Sequence, residues 1–150
     1  MSTVVTPIGR RGRRPTSSQL IGITKHGSYV SIPIAAIQQC LPRVKCGKGA
    51  TTNVRVATSL VSVDGKPSAI RFSFSTASGN RMWKTGRASV RLYFSSVGMF
   101  NSLNMETEKL RKQFVPFEVV TEHQNTYLQV SWDVISSLEV RGRCKVGGSR

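Results

Sequence analysis

VRVATSLVSVDGKPSAIRFSFSTAS, residues 54–78, decides the fold class of this chain. Asp64 and Gly65 make a turn, because both residue types tolerate the backbone conformations a tight reversal needs. Before the turn, TTNVRVATSLVSV carries the β-branched content of a long strand. After it, Ile70, Phe72 and Phe74 alternate with Arg71, Ser73 and Ser75, which gives a strand one apolar and one polar face.

The pattern repeats on either side. In ASVRLYFSSV, Val90, Leu92 and Phe94 alternate with Arg91, Tyr93 and Ser95. Upstream, QLIGITK and YVSIPI read as two strands around a turn of Lys25, His26, Gly27 and Ser28, with Pro33 marking an end or an edge. IAAIQQCL then sets Ile34, Ile37 and Leu41 at helical spacing ahead of Pro42, a short helix in competition with a continued strand. Downstream, Asn104 is placed to cap a helix with Glu106 and Glu108 in its first turn and Lys109, Arg111 and Lys112 in its last, the order the helix dipole favours. FEVVTE and TYLQVSW form a hairpin around His123, Gln124 and Asn125. The expected fold is α+β and mainly β: a two-sheet β-sandwich with one or two short helices and a flexible basic N-terminal arm. Residues 1–18 are expected to be that arm and residues 19–150 a single β-rich domain. A chain of 150 residues is long enough to bury about 70% of the surface its unfolded form exposes.

Charge is divided as unevenly as hydropathy is regular. Positions 1–105 hold fifteen Lys and Arg residues but one acid, Asp64, whereas the remainder holds six acids and seven bases. The net charge of +15 is therefore almost entirely a property of the first two thirds. Such a field opposes compaction and calls for a polyanion, either nucleic acid or an anionic membrane. Solubility alone is served as well by mixed charges.

The cations fall into groups. Arg10, Arg11, Arg13 and Arg14 lie in the arm. Lys45 and Lys48 lie in the glycine-containing loop RVKCGKGA, which lacks the spacing and the Ser or Thr of a P-loop. They are phosphate contacts or parts of an ordinary solvated loop. Arg55, Arg71 and Arg91 each alternate with apolar neighbours, so in one sheet they would make a basic face with Tyr93 nearby, able to hold phosphates and stack bases. The alternative is a sheet face of solvated arginines. Arg81, Lys84 and Arg87 interleave with Trp83 in SGNRMWKTGR, whose indole has three possible fates: stacking on a base, entering a membrane interface or capping the core.

Other chemistry has no foothold in the sequence. The late acids form no evident pair, the two histidines stand apart, and Cys40, Cys46 and Cys144 are odd in number without CxxC spacing. No catalytic residue, metal site, cofactor or small-molecule substrate is expected, and the thiols are expected to be reduced and structural. No run approaches the roughly 20 apolar residues of a membrane span. MSTVVTPIGRRGRRP lacks the apolar run of a signal peptide, which points to the cytosol or nucleus.

Three stretches carry a family resemblance: GSYVSIPIAAIQQCLPRVKCGKGATTNVRVA, ASVRLYF and FNSLNMETEKLRKQFVPFEVV. Their order resembles that in the small matrix proteins of bornaviruses and related negative-strand RNA viruses. The points of similarity are Ser31, Ile32, Pro33 and Ile34, the strand Ser89 to Phe94, and Ser102 and Leu103 with the basic pair Arg111 and Lys112. The resemblance implies a homo-oligomer beneath the virion envelope that touches acidic phospholipid peripherally and binds RNA or viral ribonucleoprotein. It also implies residence in the host cytoplasm or nucleus and at the inner membrane surface. The arginine-rich arm and residues 62–88 look like additions to the pattern, and neither PPxY nor PTAP is present. Two other classes share these features: a capsid or nucleoprotein that packages single-stranded RNA, and a cellular RNA-binding protein.

Overall fold

The computed structural model describes residues 3–5, 19–42, 53–85 and 90–140. Among these residues, ten strands form two antiparallel sheets. The six-stranded sheet has the order β1 (Thr3–Val5), β9 (Glu118–Glu122), β10 (Asn125–Ser131), β5 (Lys66–Ser75), β4 (Arg55–Val63) and β6 (Asn80–Arg81). The four-stranded sheet has the order β7 (Arg91–Ser95), β3 (Tyr29–Pro33), β2 (Ile21–Ile23) and β8 (Gln113–Val115).

The expected sandwich is present. Ile70, Phe72, Phe74, Leu128 and Val130 on one sheet share a continuous buried cluster with Ile21, Val30, Ile32, Leu92 and Phe94 on the other. At its centre the rings of Phe72 and Phe94 meet edge to face, with centroids 6.2 Å apart. That arrangement matches the positive rim of one ring to the negative face of the next. The 64–65 turn is also as read: Asp64 and Gly65 have φ of 53° and 77°, the pair of positive angles that matches a two-residue hairpin turn to strand twist. His123 and Gln124, at 49° and 70°, make the equivalent turn between β9 and β10 without a glycine.

Among the described residues, three short α-helices accompany the sheets. The predicted one, α1 (Ile34–Cys40), begins directly after Pro33 and buries Ile34, Ala36 and Ile37. Burial pushes the Cys40 thiol up to about 12, so it is neutral and unreactive at ordinary pH. The other two, α2 (Val97–Ser102) and α3 (Trp132–Ser136), were not anticipated. Ser131 ends β10 and caps α3, its Oγ accepting from the Val134 N–H at 3.4 Å.

Several expectations are corrected. No helix runs from Asn104 to Lys112: Asn104 has φ of 59° and follows the end of α2, and only a 3₁₀ turn at Thr107–Lys109 forms. Between Glu106 and Gln113 the only apolar side chain is Leu110, so a helix there would have no stripe to bury, and favourable charge order does not replace one. The chain instead extends so that Leu110 enters the core, 2% exposed, and bridges to Val140. Thr3–Val5, assigned to a flexible arm, forms an edge strand antiparallel to β9. Residues 62–88, which look like an addition to the family pattern, include all of β5, a central strand of the larger sheet.

Candidate functional site

The outward faces of the two sheets differ in chemistry. On the six-stranded sheet, the face opposite the core carries Arg55, Ser59, Arg71, Ser73, Tyr127 and Gln129, together with Glu118 and Glu122 from β9. Arg71 donates from Nη1 to Glu122 Oε1 at 3.2 Å and from Nη2 to Gln129 Oε1 at 3.0 Å. Its guanidinium carbon lies 4.6 Å from the centre of the Tyr127 ring. The side chain is thus bound on three sides by its own sheet, with little donor capacity left for a phosphate. Arg55 donates to the Gly79 carbonyl at 3.0 Å and is aligned with exposed Arg81 of β6, so two cations meet at that sheet's edge.

The four-stranded sheet differs in having no acidic residue on any strand. One row of outward positions crosses it from Phe114 on β8, through Gly22 on β2 and Ser31 on β3, to Tyr93 on β7. Trp83 extends the row by bridging Tyr93, with backbone hydrogen bonds in both directions at 3.0 and 2.8 Å. At the usual strand spacing this row is about 19 Å long. Tyr29 meets Trp83 edge to face, with centroids 5.5 Å apart. Phe114 and Tyr29 are each 43% exposed and Trp83 38%. Gly22 is required in the row: a Cβ there would fall 2.5 Å from Ser31 Oγ and 3.0 Å from the Phe114 ring.

Arg91 reaches across this face. Its guanidinium donates to Ser31 Oγ at 2.9 Å, to the Ser31 carbonyl at 3.1 Å and to the Leu20 carbonyl at 2.6 Å, and lies 5.4 Å from the centre of the Phe114 ring. It thereby joins β7 to β3, to the entry of β2 and to β8. Partial burial lowers its pKa from the ordinary value, an effect that Tyr93 opposes. Arg91→Lys keeps the charge but replaces a fork of donors with one nitrogen that cannot span these acceptors. The expected result is a loss of about 2 kcal/mol in urea unfolding, the size of a charged hydrogen bond left unmade. Polyanion affinity should hold; a stable Arg91→Lys protein with weakened binding would make Arg91 a contact residue.

The three strand arginines therefore do not share a face. Arg55 and Arg71 lie on the larger sheet and Arg91 on the smaller, because the chain changes sheets at 80–83, where Asn80 and Arg81 pair with β4 while Trp83 pairs with β7. Tyr93 does lie on the face of Arg91. Lys84 is half-buried next to Trp83. Lys109, Arg111 and Lys112 are exposed beside Phe114 in sequence but share no α-helix: Lys109 ends the 3₁₀ turn and pairs with Glu106 at 3.4 Å, and Arg111 and Lys112 follow it in extended chain. An exposed pair like this contributes little. Arg10, Arg11, Arg13, Arg14, Lys45, Lys48 and Arg87 lie outside the described residues.

Tyr29 and Phe114 were missed by sequence reading. In the strand YVSIP the alternation sends Val30 and Ile32 inward and Tyr29 and Ser31 outward. Phe114 directly follows the basic residues that read as a helix end, so no strand alternation is visible around it in the sequence.

Among the described residues, no group of three or more His, Cys, Asp or Glu side chains converges on a metal position. No described helix is long and apolar enough to cross a membrane. A cleft of about 180 Å³ between β4 and α2, lined by Thr58, Leu60, Ile70, Met99 and Leu103, holds no ionisable side chain. No protein-family model, curated protein or solved structure matches this chain.

Proposed function

We propose that this chain is a non-enzymatic viral matrix protein, a homo-oligomer beneath an envelope that holds acidic lipid and ribonucleoprotein through basic surfaces. The supporting observation is a charge excess the molecule has no means to neutralise. All seven acids lie among the described residues, against twenty-two Lys and Arg in the chain. Even with every acid paired, 22 − 7 = 15 cations would still require external anions. Two of those acids are already engaged, Glu122 by Arg71 and Glu106 by Lys109. Binding through such an excess consists of many weak phosphate contacts, which position a partner without reading sequence.

A peripheral membrane role follows from the same charges, since a cation near an anionic leaflet gains about 1 kcal/mol. Flotation with phosphatidylserine-containing vesicles tests the reading. The protein should rise with these vesicles at low salt and stay behind with phosphatidylcholine alone. Closed shells formed with RNA and indifference to both vesicle types would replace the matrix reading with that of a capsid or nucleoprotein.

A further inference from the structure

We infer that the outward face of the four-stranded sheet is a stacking platform for the bases of single-stranded nucleic acid. Trp83 with Tyr29 receives bases at one end and Phe114 at the other. The inference deepens the proposed polyanion binding by giving it a place and a chemistry that charge alone does not supply.

Three observations carry it. The first is the display of aromatic rings where a sandwich of this size needs none. The interior already contains Phe72, Phe74, Phe94 and Phe100, all buried, while Tyr29, Trp83 and Phe114 stand on the opposite side of the smaller sheet with about two fifths of their surface in water. The second is the floor between them. Gly22 and Ser31 contribute no large side chain to the middle of the row, and Arg91 lies across it between Phe114 and Tyr93. Arg91 fixes that floor through Ser31 and sits over Phe114, so the platform is built before any ligand arrives.

The third observation selects the occupant. The strands of this sheet hold no acid, exposed Arg111 and Lys112 lead into Phe114, and Lys84 follows Trp83. Bases offer π faces to the rings while the phosphates that join them face the flanking cations, which is how sequence-tolerant single-strand binding works. A second copy of this chain fits less well, because it would bring together two faces whose strands carry no acid to neutralise the cations beside them. Duplex fits less well too, because its bases are already stacked on one another.

The test uses the full chain and a fluorescein-labelled oligouridylate of roughly 10 nucleotides, a length suited to one such face. Trp83→Leu and Phe114→Leu keep apolar bulk but remove the ring, and each should weaken binding about tenfold by anisotropy. The slope of affinity against salt should stay as in the parent, because a lost stack releases no counterions. Unchanged circular dichroism and melting temperature would show that the variants fold. As a measurement on an intact platform, Trp132→Phe leaves Trp83 as the sole indole, and oligouridylate should quench its emission.

If both leucine variants bind oligouridylate like the parent, the platform is refuted. Loss of self-association in sedimentation would then assign the face to subunit contact, and loss of vesicle flotation would assign it to the membrane interface. Charge-driven binding would survive either outcome. A parent chain that bound neither vesicles nor oligouridylate would remove the proposed function itself.

Discussion

Between about 50 and 200 mM salt, the affinity of this protein for single-stranded RNA is expected to fall by roughly two to four orders of magnitude. At least fifteen of the twenty-two Lys and Arg residues have no acid in the chain to pair with. Each one that meets a phosphate releases condensed counterions, with a slope near −0.7 per contact on a single strand, and a basic protein of this kind engages on the order of six to ten phosphates. A fourfold rise in salt then costs about 10²- to 10⁴-fold. Arg71 and Arg91 are not among the contacts counted, since each is satisfied by its own sheet. Titrating labelled RNA at several salt concentrations reads the slope directly. A slope near zero would mean that the positive charge does not face the RNA.

Phe94→Ala is expected to remove about 3–5 kcal/mol of folding stability. The ring is fully buried, and its edge-to-face contact with Phe72 is where the two sheets meet. Truncation leaves a cavity that the surrounding strands, fixed by their hydrogen bonds, can only partly collapse. A domain of ordinary stability has about 5–15 kcal/mol in total, so the variant should be marginal or unfolded at physiological temperature. Phe114→Ala is the matched control. Its ring is 43% exposed on the outer face, and its loss should cost about 1 kcal/mol or less in urea unfolding. Equal effects at the two positions would show that the sheets do not pack as described.

The contrast between these two phenylalanines marks what the sequence conveyed and what it withheld. Phe94 stands in an alternating run whose polar partners are Arg91, Tyr93 and Ser95, so its inward direction was readable from period alone. Phe72 was readable in the same way and the Asp64–Gly65 turn from its residue types, while the short helix after Pro33 was one of two readings its spacing allowed. Phe114 lies in a three-residue strand, too short for a period to show, beside charges that imitate a helix end. Local dipole order at 104–112 pointed to a helix, while the need to bury Leu110 favoured an extended chain. Arg71 was correctly placed on an outward face, but Glu122 and Gln129 come from strands more than fifty residues away, and a single sequence does not say which strands are neighbours. Thus the orientations within strands were legible, and the assignment of strands to sheets was not. The candidate site depended on the second.

Strand order also carries a consequence for how the protein is made. The larger sheet is centred on β5 and β10, and β1 gains its partner only when β9 exists. The smaller sheet pairs β2 with β8, across some ninety positions of chain. Neither sheet can be completed from residues 1–105, the portion that holds all but one unit of the net charge. Contacts this distant in sequence form slowly, because loop closure must precede any gain from pairing. During synthesis the basic segment therefore emerges without its fold and without six of its seven acids. Those acids arrive with seven further bases, so the net charge does not fall as the chain is finished; what the last third supplies is the set of strands that completes both sheets, and with them a shaped surface on which the charge is held.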